Sequence, residues 1–74
     1  MTQRIPDGRY RHYKGGEYLV VGEALHTETE QTLVLYRSVR DGTVSDRLFA
    51  RPADMFAETV EIDGTRVPRF APLT

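Results

Sequence analysis

The sequence predicts a mainly β chain: a small antiparallel barrel or roll of five to six strands with one short helical turn. Three observations carry this. Short apolar runs rich in valine, leucine and tyrosine are separated by turns bearing glycine and aspartate. Only the window from Pro52 to Glu58 has helical character. With 74 residues and no cysteine, there is one domain and no disulfide or thiolate-bound zinc to brace it. A domain this short hides only about 60% of its unfolded surface, so its core is thin, and closure of a barrel or oligomerisation is a common compensation.

The elements follow in chain order. Ile5-Pro6-Asp7-Gly8 is a turn signal. Arg9 to Tyr13 then alternates as a strand, with Arg9, Arg11 and Tyr13 on one side and Tyr10 and His12 on the other. Lys14-Gly15-Gly16 reverses the chain; it lacks the spaced glycine and Ser/Thr of a phosphate loop. Glu17 to His26 is apolar on both faces, and its valines favour a strand, with a bend or bulge expected at Gly22. A polar loop through Gln31 leads to the return strand, Thr32 to Val39, giving a long central hairpin. Asp41-Gly42 is a strong signal for a tight turn, since both central positions of a type I′ turn take positive φ. Ser45 to Arg51 reads as one further strand.

Pro52 to Glu58 supports one or two helical turns, with Asp54 at the positive end of the dipole and Met55 and Phe56 expected to cover an open end of the sheet. Thr59 to Ile62 and Thr65 to Phe70 flank a second turn at Asp63-Gly64. Pro68 cannot donate to a ladder, which puts that strand at an edge. The domain is expected to span residues 8–70, with 1–7 and 71–74 as flexible termini. The strand number and strong bending suit a barrel of the SH3-like kind.

Net charge is −1, which disfavours a dedicated nucleic-acid binder. The charges alternate in blocks: residues 1–14 sum to +3, 17–30 to −4, 37–51 to +2, 54–63 to −4, and Arg66 with Arg69 to +2. Such blocks suit antiparallel neighbours that pair charges across the ladder. Every basic residue except Lys14 is arginine, the side chain that holds carboxylates and phosphates in a bidentate fork and stacks on aromatic rings. The amino-terminal residues lack the apolar run of a signal peptide, and no stretch approaches the roughly 20 apolar residues that span a bilayer. A cytoplasmic protein without membrane contact is expected.

The richest chemical window is GRYRHYKGG, Gly8 to Gly16. No nucleophile elbow surrounds Ser38 or Ser45. Neither His12 nor His26 has a second histidine or carboxylate at i+3 or i+4 on a helix, so no metal site, cofactor or catalytic residue is expected. Tyr10, Tyr13, Tyr18 and Tyr36 read mainly as core-edge residues with their hydroxyls in water. An arginine–aromatic surface made of Arg11, His12, Tyr13, Lys14, Tyr36, Arg37 and Arg51 is the candidate ligand-binding set.

Four ordered stretches, GRYRHYKGGEYLVVGEA, HTETEQTLVLYRS, ARPADMF and RVPRF, make the chain resemble the small bacterial family called domain of unknown function 1653, from Gly8 to Phe70. The resemblance implies an SH3-like barrel and no particular activity. Phe49 departs from the family pattern, which has a tryptophan there; the aromatic is kept and the indole donor lost.

The functional expectation is a non-catalytic binding module for a protein segment or a small anionic ligand. Single-stranded nucleic-acid binding and an enzymatic or enzyme-accessory role are the alternatives. The chain is expected to be a monomer or a weak homodimer.

Overall fold

A computed structural model describes residues 5–73; residues 1–4 and 74, part of the expected flexible termini, lie outside them. Among the described residues, eight strands and one helical turn run in the order β1 (Gly8–His12), β2 (Glu17–His26), β3 (Gln31–Arg40), β4 (Thr43–Val44), β5 (Phe49–Pro52), α1 (Ala53–Phe56), β6 (Thr59–Ile62), β7 (Thr65–Pro68) and β8 (Phe70–Pro72). All pairings are antiparallel. The main sheet has the order β4-β3-β2-β1-β8, with β5 also on β3, and β6–β7 form a separate two-stranded sheet. Among the described residues no ladder closes the sheet into a barrel.

The central hairpin is set by local chemistry. Asp41 and Gly42 take φ of 52° and 76°, the positive pair a tight hairpin turn requires. Register shifts between Val20 and Gly22, so Val21 is the extra residue of a bulge that bends β2.

Two tertiary contacts break strands that local sequence leaves whole. Ser45 to Arg51 is not one strand, because Arg37 Nη1 donates to the Ser45 and Asp46 carbonyls at 3.3 and 2.6 Å and the chain swings out between β4 and β5. Thr65 to Phe70 is also divided. Arg69 N–H donates to the Glu58 carbonyl at 2.8 Å, and the Arg69 carbonyl accepts from Tyr13 N–H at 2.9 Å. The chain turns there into β8, which pairs with β1. Ala71 and Pro72, expected to fray, are therefore in a strand.

Cross-strand partners share a face. The register puts Tyr10, Tyr18, Val20, Val34, Tyr36 and Phe70 on one face of the sheet, and Leu19, Leu33, Leu35 and Val39 on the other. The core lies on the first face: Ile5, Tyr10, Val20, Val34, Tyr36, Ala53, Phe56 and Phe70 are its buried residues. Pro52 caps α1 without a side-chain hydrogen bond, and the turn is closed by Ala57 N–H donating to the Ala53 carbonyl at 3.0 Å. Phe56, 2% exposed, covers the sheet as expected, whereas Met55 does not: it is 51% exposed, because a single turn can aim only one of two adjacent side chains inward.

Candidate functional site

His12 is the last residue of β1. Its N–H donates to the Gly16 carbonyl and its carbonyl accepts from Gly15 N–H, both at 2.9 Å, which closes a tight turn over residues 12–16. Gly15 and Gly16 take φ of 97° and 86°, open to glycine without strain. Strand alternation therefore stops at His12, and Tyr13 does not point away from it. The two rings lie 4.7 Å apart, tilted by 33°.

The bond from Tyr13 N–H to the Arg69 carbonyl pins this turn to the β7–β8 corner. On β8, Phe70 is the Cα partner of His12, and its ring meets the imidazole edge-on at 4.8 Å. Phe70 is stacked from below on Phe56, with centroids 4.1 Å apart and planes 5° from parallel. Tyr18 and Tyr36 meet Phe70 at 5.7 and 6.1 Å. Arg51, from β5, places its guanidinium 5.5 Å from the Phe70 ring and donates from Nε to the Tyr36 hydroxyl at 3.2 Å. An aromatic platform thus carries a cation, an arrangement favoured by the ring quadrupole.

The charges at this end are mostly of one sign. Burial, and then Arg51, Arg69 and Lys14, push the His12 pKa below its ordinary value, so the ring is neutral at pH 7. Lys14 N–H donates to His12 Nδ1 at 3.1 Å, which assigns the ring proton to Nε2. Arg69 pairs with Glu58 at 2.9 Å, yet its Nε is buried and has no acceptor among the described residues. A buried donor left in that state costs about 1–3 kcal/mol. Lys14 Nζ stands 5.7 Å from the Tyr13 ring.

The seven expected site residues divide. His12, Tyr13, Lys14, Tyr36 and Arg51 come together. Arg11 and Arg37 do not: Arg11 pairs in register with Glu17 and Ala71 on the opposite face. Arg37 sits opposite Leu19 and spends its guanidinium on backbone carbonyls. Tyr18, Arg69 and Phe70 join the cluster unforeseen. Tyr18 was legible, since pairing the central strands Val20 to Tyr36 puts it beside that ring; Arg69 required knowing that β8 returns to β1.

Among the described residues no carboxylate is hydrogen-bonded to the His12 ring, whose Nδ1 accepts from Lys14 N–H. His26 is similarly occupied, accepting from Glu28 N–H at 3.3 Å. Among the described residues no group of three or more His, Asp or Glu is placed to hold a metal.

The profile of the family described as "Protein of unknown function (DUF1653)" matches residues 8–72. The chain belongs to this family. A crystal structure of a DUF1653 protein from Bordetella bronchiseptica is 33% identical, with a TM-score of 0.81 over 99% of this chain and 92% of that one. No curated protein matches significantly. The matched span reaches β8, so the strand that completes the His12 cluster belongs to the family's domain.

Proposed function

We propose that this DUF1653 domain is a non-catalytic binding module that recognises an anionic group, a carboxylate or phosphate carried by a small ligand or a protein segment. One observation carries the reading. Arg51, Arg69 and Lys14 stand around His12 and with burial lower its pKa, beside an aromatic platform that carries the Arg51 guanidinium. Guanidinium groups preheld by an aromatic ring or an ion pair lose little freedom when they bind an oxyanion. An anion there also relieves the mutual repulsion of the three cations. An SH3-like relationship, suggested by the bulge in β2, and a cytoplasmic location belong to the same reading.

The test is a titration followed by NMR at the His12 ring. Inorganic phosphate and a short glutamate-rich peptide are added at low salt, and both are expected to shift His12 and raise its pKa. Arg51→Gln and Arg69→Gln, checked for folding, weaken that response. An unmoved His12, or full binding by both folded variants, overturns the reading.

Single-stranded nucleic acid is a second reading, favoured by the Tyr13 ring, 36% exposed and beside Lys14 and His12. It requires mixed-sequence DNA or RNA to bind with a steep salt dependence. An absence of binding at low salt removes it.

A further inference from the structure

On the sheet face opposite the His12 cluster, Leu19, Leu33, Leu35 and Val39 are half-buried and stand outside the buried core. Leu33 and Leu35 of β3 stand in register with Ala24 and Gly22 of β2 and with Pro52 and Ala50 of β5. Leu19 and the Val39–Val44 pair extend the patch toward β1 and β4. Glycine and alanine between leucines keep the side chains here short, so that a second sheet can approach to about 10 Å. An antiparallel sheet can leave one face to solvent, and the protein is only 18 Å across its thinnest direction. That thickness corresponds to one sheet and a single covering layer.

The ends of this face are opposite in charge. Arg9, Arg11 and Arg37 lie on it where β2 begins and β3 ends, with Glu17 paired to Arg9. The β2–β3 loop at the other end carries Glu28 and Glu30, both exposed, and no base. The strands between are ten residues each, about 33 Å long. A two-fold axis near Gly22 and Leu35 lays the acidic end of one sheet on the basic end of another, twice over. We infer that this aliphatic face is the interface of a homodimer in which two sheets stack antiparallel, Leu33 and Leu35 at the centre and Arg11 opposite the partner's acidic loop. An isologous contact must be self-complementary, and the patch satisfies this in shape and in charge. Association through it leaves both His12 clusters facing outward.

Sedimentation equilibrium from micromolar to millimolar chain tests the inference. A reversible dimer is expected, and a monomer throughout the range overturns it. Leu35→Lys is expected to be monomeric with an unchanged circular dichroism spectrum; a dimer that survives this substitution overturns the face. Arg11→Glu and Glu28→Arg are each expected to weaken the dimer about tenfold, and the double variant to restore it. If the double variant is as weak as the singles, the antiparallel stacking is wrong.

Discussion

The two faces of the main sheet are made by the same strands and solve different problems. On one, Tyr10, Tyr18, Tyr36 and Phe70 meet Phe56 from α1 in a continuous set of edge-on and stacked rings. On the other, leucines and valines lie beside arginines with no phenylalanine or tyrosine among the paired strand residues. Aromatic residues suit a core only one layer deep, since each fills a large volume and tyrosine can leave its hydroxyl at the rim. Those rims are where Arg51 and His12 gather. The aromatic face therefore carries both the buried core and the candidate site, while Leu19, Leu33, Leu35 and Val39 on the aliphatic face are half-buried.

That asymmetry can be broken experimentally. Phe56→Ala removes the ring that stacks on Phe70 and should cost about 3–5 kcal/mol, much of the stability of a domain this size; urea unfolding should show a large fall in midpoint. Tyr36→Phe keeps the ring and removes the acceptor of Arg51 Nε, with an expected loss of about 1 kcal/mol in the same measurement. Leu33→Ser on the opposite face should shift the midpoint of dilute, monomeric protein by less than about 1 kcal/mol. A loss there as large as that of Phe56→Ala would mean that the face is core.

Acid provides a finer test of the aromatic side. His12 has a lowered pKa in the folded protein, so below about pH 6.5 the unfolded chain binds the proton more readily. Stability should thus be complete above that value and fall as the pH drops toward the folded pKa. His12→Gln should flatten this part of the melting-temperature profile, as followed by circular dichroism.

How far these features are legible in the sequence depends on the range of the interaction that sets them. The ends of β2, the bulge beside Gly22 and the turns at Asp41-Gly42 and Asp63-Gly64 are local, and glycine, aspartate and β-branched residues announce them. The break after Val44 depends on a guanidinium from β3, and β8 on the meeting of Arg69 with Tyr13 and Glu58, contacts invisible to periodicity. The site was legible in proportion. His12, Tyr13 and Lys14 adjoin in the chain and stay together, and Arg51 and Tyr36 were foreseen on composition. Arg11 and Arg37 are not separable from them in the sequence, because alternation constrains a face only within one strand and leaves the register between strands open.

Finally, β8 lies beside β1, with Tyr10 opposite Pro72 and Leu73 N–H donating to the Arg9 carbonyl at 2.8 Å. The beginning and end of the domain are thus neighbours on one edge. Its architecture does not depend on the order in which the chain is threaded: a short linker across that edge and an opening at Asp63-Gly64 would retain every ladder as a circular permutant. For the same reason the whole unit can be grafted into a surface loop of a host protein, entering and leaving at almost the same point.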